Sequence, residues 1–127
     1  MRVILANAFS VNMLSDSWVA AEFEKVDIET VKKVLRDGFD SAIGHEATAA
    51  FLSKVLGFEV KANRKEVKVD ENTVLIIAQV KQRLPEGKVL TEEELKNVPV
   101  EFWVVLFMKL KEEYVDILDK YINILEK

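Results

Sequence analysis

Apolar residues follow two rhythms along the chain. The opening segment, Arg2 to Ala8, is β-branched and apolar and predicts a strand, with Asn7, Ser10 and Asn12 clustered where it ends. From Trp18 to Val26, Val19, Ala21, Phe23 and Lys25 fall on one side and Glu22 and Glu24 on the other, which predicts a second, partly exposed strand. Asp27 then offers an N-cap to a short helix whose stripe is Ile28, Val31, Val34 and Leu35, ending near Gly38. A second helix is expected from about Gly44 to Leu56, with Ala47, Phe51, Leu52 and Val55 turned to a core and Gly57 as its stop.

The rhythm of two returns downstream. Val67 and Val69 alternate with Arg64, Glu66 and Lys68, the pattern of a strand with one wet face. Val74 to Ala78 is apolar at every position, as a central strand covered on both sides would be. Beyond it Gln79, Lys81 and Arg83 share one face by the two-residue period, until Pro85 and Gly87 turn the chain. Thr91 to Glu94 has the spacing of a capping box and opens a short helix that stops before Pro99. Val100 to Met108 reads as the last strand, and Leu110, Tyr114, Ile117, Tyr121 and Ile124, with Leu118 and Leu125 alongside, mark an amphipathic C-terminal helix.

Strands interleaved with helices predict an α/β domain bordering on α+β, with a mixed sheet of about five strands flanked by helices. Residues 1–108 would form the domain and 109–127 a helical extension of it. A chain of 127 residues that is 50% hydrophobic can bury one substantial core, and no apolar run is long enough for a membrane span or a secretory leader. A cytoplasmic protein is expected. The chain has no cysteine and a single histidine, which removes disulfides, thiolate metal sites and a multi-histidine zinc site. No carboxylate cluster asks for magnesium, so neither metal nor cofactor is expected. The net charge of −4 gives no overall pull toward nucleic acid, and any phosphate binding must be local.

The single histidine, His45, stands at the predicted start of the second helix. Free amides and the positive end of the helix dipole make that position an anion site, and Gly44 leaves it open to close approach. A helix dipole disfavours the imidazolium whereas a bound phosphate favours it, so substrate could load the proton. Arg64 and Arg83 supply guanidinium forks that match phosphate oxygens. Glu86, in the turn after Arg83, could orient a hydroxyl or accept its proton. Each of these residues taken singly has an ordinary surface role; together they describe a phosphodiester site.

Four ordered strings then carry a resemblance: Leu5 to Leu14 (LANAFSVNML), Ala42 to Thr48 (AIGHEAT), Asn63 to Val67 (NRKEV) and Gln82 to Leu90 (QRLPEGKVL). Residues 2 to about 107 resemble the viral ring nucleases, anti-CRISPR proteins of archaeal viruses and phages with relatives in cellular genomes. The resemblance implies a homodimer that binds cyclic tetra-adenylate across its two-fold axis and cuts it to linear di-adenylate without metal. A ribose 2′-hydroxyl attacks the neighbouring phosphate and leaves a 2′,3′-cyclic phosphate, which would switch off type III CRISPR signalling. It places His45 as general acid and Glu86 as the second catalytic group. Arg64, Arg83, Asn7 and Ser10 become ligand contacts, and Asn12, Gly44, Thr48, Gln79 and Gln82 are added as candidates beside them.

The sequence departs from that pattern twice. The family's usual Asp-Ser-Thr after the histidine is here Glu46, Ala47 and Thr48, so one hydroxyl contact is lost. The family's short form ends near the last strand, whereas this chain adds Lys109 to Lys127, which could serve a dimer, a higher oligomer, a cover for the site or its own domain. A non-catalytic protein that sequesters or senses the ring is the rival reading. A nucleic-acid-binding regulator is the third, and the acidic balance opposes it.

Overall fold

A computed structural model describes residues 1–17, 19–85, 90–109 and 112–126. The elements run β1 (Arg2–Ala6), a 3₁₀ turn (Val11–Met13), β2 (Ala20–Val26), α1 (Ile28–Leu35), β3 (Asp40–Ala42), α2 (Glu46–Leu56), β4 (Thr73–Val80), α3 (Glu92–Lys96), β5 (Val100–Met108) and α4 (Glu112–Leu125). The strands form one mixed sheet in the order β2-β5-β4-β1-β3. β1, β3 and β4 are parallel, and β5 runs antiparallel to both β4 and β2. β4 is central, as its unbroken apolar run requires, with Leu75, Ile76 and Ala78 fully buried.

Two apolar layers hold this single α+β domain together. On one face Val31 and Leu35 of α1 and Phe51, Leu52 and Leu56 of α2 pack on Leu5, Ile76 and Phe102. On the other face, among the described residues, no α-helix contributes to the core. There Ile4, Ala6, Leu75, Ile77, Val105 and Phe107 are covered by Val67, Val69 and the residues around the 3₁₀ turn. Among the described residues, then, helices pack on one face and irregular chain on the other. The caps obey local chemistry: Asp27 Oδ1 accepts from Thr30 N at 2.8 Å, Gly57 ends α2 at φ 82°, and Thr91 with Glu94 forms the capping box that opens α3.

Four expectations change. The segment from Arg64 to Val69 makes no strand; its one bridge is Val69 to Leu14, and Ala62 just before it bridges singly to Ile43. Its alternation is nonetheless real, because Val67 and Val69 are buried against the open sheet face while Lys68 is exposed. Alternation reports one buried side, and a segment lying across a face satisfies it as well as one within a sheet. The edge place beside β1 is taken instead by β3, three residues too short and too polar to announce themselves. β1 stops at Ala6, short of the expected Ala8. β4 stops at Val80, where Lys81 N donates to Pro99 O at 2.8 Å, so Arg83 leaves the face expected from alternation with Gln79.

Candidate functional site

The carboxyl ends of the parallel strands β4, β1 and β3 lie together, the usual place for a ligand in an open sheet of this kind. Asn7, the first residue beyond β1, turns toward the neighbouring strand end, and its Oδ1 accepts from Gly44 N at 3.4 Å. Beyond β3, Asn63 N donates to Ile43 O at 2.8 Å and Asn63 Nδ2 donates to Ser41 O at 2.9 Å. Those bonds deliver the next residue, Arg64, beside Gly44. A Cβ placed on Gly44 would stand 3.9 Å from Arg64 Cγ, an ordinary contact, and its φ is not in the left-handed region. The fold therefore does not itself require glycine at this position.

α2 begins one residue after His45. His45 is its N-cap in extended conformation (φ −130°, ψ 133°), yet its side chain makes no capping hydrogen bond, and it is exposed. Ser, Thr, Asp or Asn would satisfy an amide of the first turn there. The imidazole is thus not used by the helix. It faces a cleft of about 470 Å³ lined by Asn7, His45, Thr48, Gln82, Arg83 and Pro85 among others. The described lining contains no carboxylate. Among the described residues neither Arg64 nor Arg83 is in an ion pair. A guanidinium, a free imidazole, two side-chain amides, a hydroxyl and a helix N-terminus make this cleft suited to a phosphate-bearing ligand.

The chain matches the family described as STIV B116-like over residues 3–102. It belongs to that family. B116 of Sulfolobus turreted icosahedral virus superposes with a TM-score of 0.76 at 33% identity, covering 84% of this chain and 99% of B116. An uncharacterized protein, ORF117, of Acidianus two-tailed virus is 40% identical over 88 residues, 66% of this chain and 75% of the relative. The uncharacterized YddF of Bacillus subtilis is 34% identical over 85 residues, 65% of this chain and 79% of that one. The STIV B116-like region contains every side chain named for the cleft and stops before α4.

Within the STIV B116-like domain the expected residues separate into three groups. Asn7, His45, Thr48, Gln82 and Arg83 share one cleft; Gly44 and Arg64 do not line it, Gly44 being tied to it through the bond to Asn7 and Arg64 lying beside Gly44. Gln79 lines a second cleft of about 530 Å³ that joins the first at Asn7. Ser10 and Asn12 line neither: Ser10 Oγ caps the 3₁₀ turn by accepting from Asn12 N at 3.3 Å, and the Asn12 carbonyl accepts from Lys68 Nζ. Their structural role explains their place after β1. Glu86 lies outside the described residues.

Three aromatics of the second cleft, Phe9, Phe23 and Trp103, were not singled out from sequence. Phe9 meets Phe23 edge-on at 5.8 Å between ring centroids. Trp103 Nε1 donates to Glu101 at 3.3 Å, and the same carboxylate holds Lys81 at 2.6 Å and Lys25 at 3.3 Å. The Lys81 bond, reinforced by Lys25 and Trp103 against partial desolvation, lowers the Glu101 carboxyl from 4.5 to about 2. The signal for this group lay in cross-strand register, which opposes Lys25 to Trp103 and Gln79 to Glu101. Register is not readable from one chain's periodicity. Among the described residues, no three His, Asp or Glu side chains converge as metal ligands.

Proposed function

We propose that this protein is a metal-independent ring nuclease that opens cyclic tetra-adenylate, and so ends the type III CRISPR signal that ring carries. The reading rests on one observation: His45 spends an N-cap position without capping, and faces a cleft shared with Arg83, Gln82, Asn7 and Thr48. In the reaction a ribose 2′-oxygen of the ligand bonds to the adjacent phosphorus. Its proton passes to a base, for which Glu86 is the candidate, and the bond from phosphorus to the 5′-oxygen breaks. His45, protonated, gives its proton to that leaving oxygen and returns to neutral imidazole. Arg83 and Arg64 offset charge on the non-bridging oxygens, and the α2 amides and Gly44 allow close approach. The product is linear di-adenylate with 2′,3′-cyclic phosphate ends. An exposed imidazole needs a cover to exclude water, and a homodimer with the ring on its two-fold axis supplies one, each protomer giving the same residues once.

The test is chromatography of cyclic tetra-adenylate after incubation with the protein and a chelator. Linear product with a cyclic phosphate end from the wild type, and intact ring with His45→Ala, is the expected result. Tight binding with no cleavage by either protein would replace the enzyme by a sequestering or sensing protein.

A further inference from the structure

The second cleft adjoins the first at Asn7 but differs from it in chemistry, because none of its described lining residues carries a charge. Strand register builds its walls. Lys25 stands opposite Trp103 and Phe23 opposite Val105, so Phe23 and Trp103 lie diagonally on one face of β2 and β5, with Ile77 of β4 opposite Trp103. Phe9 braces this group, edge-on to Phe23 and tilted against Phe107 at 6.1 Å. Aromatic surface nevertheless stays open: Phe23 is 48% exposed, and Phe9 and Trp103 are half-buried. The one donor of the Trp103 indole is spent on Glu101, a carboxylate that Lys81 and Lys25 hold in place. What this side chain offers a ligand is therefore its ring. Two amides complete the cleft. Gln79 is exposed where β4 leaves the core, and its side chain makes no hydrogen bond among the described residues. Asn7 Oδ1 accepts from Gly44 N, which leaves Asn7 Nδ2 as a donor with no partner among the described residues.

We propose that this uncharged aromatic cleft seats an adenine of the ring whose phosphate lies in the His45 cleft, with Trp103 and Phe23 stacking on the base and Gln79 reading its edge. A nucleotide has two unlike parts, a charged phosphate and a flat uncharged base, joined by a ribose. The two clefts divide in the same way and meet at Asn7. A volume of about 530 Å³ is of the size that small-ligand sites have. Aromatic rings stack on any base, so selection falls to the amide. A carboxamide sets a donor beside an acceptor and so matches the N6 donor and N7 acceptor of adenine. An apolar side chain of a second copy is the rival occupant, and it would leave Gln79 without a partner. The inference rests on the ring-nuclease reading for the identity of the ligand, and not for its cleavage. In a two-fold dimer each protomer gives one such cleft, so two opposite adenines of the four are seated. The phosphates presented to the two copies of His45 are then opposite as well, the register that yields two di-adenylates.

The test is calorimetric titration of the full-length His45→Ala protein with cyclic tetra-adenylate and with cyclic tetra-inosinate, the ring in which oxygen replaces each adenine amino group. The adenine ring should bind at least about tenfold more tightly. Adding Gln79→Ala should bring the two rings within about threefold of each other, and adding Trp103→Ala should weaken the adenine ring at least about tenfold. Trp103→Phe, which keeps a ring in the β5 register, should stay within about threefold of its parent. Circular dichroism confirms that each variant is folded. Because the chain has two tryptophans, Trp18→Phe leaves Trp103 as the only one, and a stacked adenine should quench its emission. Four results overturn the proposal: no binding of the adenine ring, equal affinity for the two rings, a preference that survives Gln79→Ala, or Trp103 emission unmoved by bound ring. A wild-type protein that binds with the expected preference and leaves the ring uncut would end the nuclease reading and uphold the base cleft.

Discussion

His45 sets the interests of helix and cleft against each other, and His45→Asn separates them. The residue stands at the N-cap of α2 with φ −130° and ψ 133°, in the extended region that a capping asparagine adopts, and its imidazole caps nothing. Asparagine would accept from a free amide of the first turn without adding charge. Cap residues are worth about 0.5–2 kcal/mol relative to alanine, so a gain of roughly 1 kcal/mol is expected. For a domain of this size, that raises Tm by about 3–5 °C. On the proposed mechanism the same change removes the general acid and slows ring opening by about 100- to 10,000-fold. Differential scanning calorimetry and single-turnover cleavage of cyclic tetra-adenylate read the two effects on one preparation. A His45→Asn protein that is less stable than wild type would show that the imidazole supports the fold in a way its exposure denies. One that is more stable and still cleaves at the wild-type rate would remove His45 from the mechanism.

Gly44→Ala should leave stability within about 0.5 kcal/mol, since the new Cβ meets only Arg64 Cγ at 3.9 Å, and should weaken ring binding in calorimetric titration; a large loss of stability would contradict the open space seen there. Glu101→Gln tests the network behind Trp103. Its carboxyl is lowered to about 2, so its contribution is present above 4.5 and is lost as pH falls toward 2. Denaturant midpoints of wild type and variant should therefore differ at pH 7 and converge near pH 2, and a constant difference would refute the assignment. Val69→Asp should cost at least about 2 kcal/mol in urea unfolding although Val69 lies in no strand, because it is 2% exposed under the sheet; a small effect would mean that the covering segment is not part of the core.

Local chemistry carried most of the fold. The caps at Asp27, Gly57 and Thr91 and the continuous run at Val74 to Ala78 are decided within a few residues, and they are where the sequence pointed. What failed was the step from alternation to pairing. Val67 and Val69 are buried by lying over Ile4, Leu75 and Ile77, an outcome that differs from a strand only in backbone partners. β3 exists for the converse reason: Asp40, Ser41 and Ala42 have no strand-like pattern, yet β1 offers them a free parallel edge. Among the site residues, Asn7, His45, Thr48, Gln82 and Arg83 come together in the cleft, whereas Ser10 turned out to cap a 3₁₀ turn. Both uses suit a hydroxyl or amide after a strand, and only the direction of the chain beyond Ala6 separates them.

The cleft draws on the strand ends without drawing on the core. Its side chains come from the first residue past β1, the start of α2 and the exit of β4, and parallel order brings those three together although they are far apart in sequence. Behind them stand Ile4 and Leu5 of β1 and Leu75 and Ile76 of β4, fully buried. Such a base can fix a backbone amide or a strand end without help from the polar residues in front of it. A helix start that His45 does not cap, arginines without an ion pair among the described residues, and a glycine the fold does not need are departures from what stability alone would choose, all at one end of one sheet. Departures of this kind concentrate where a ligand completes the interactions.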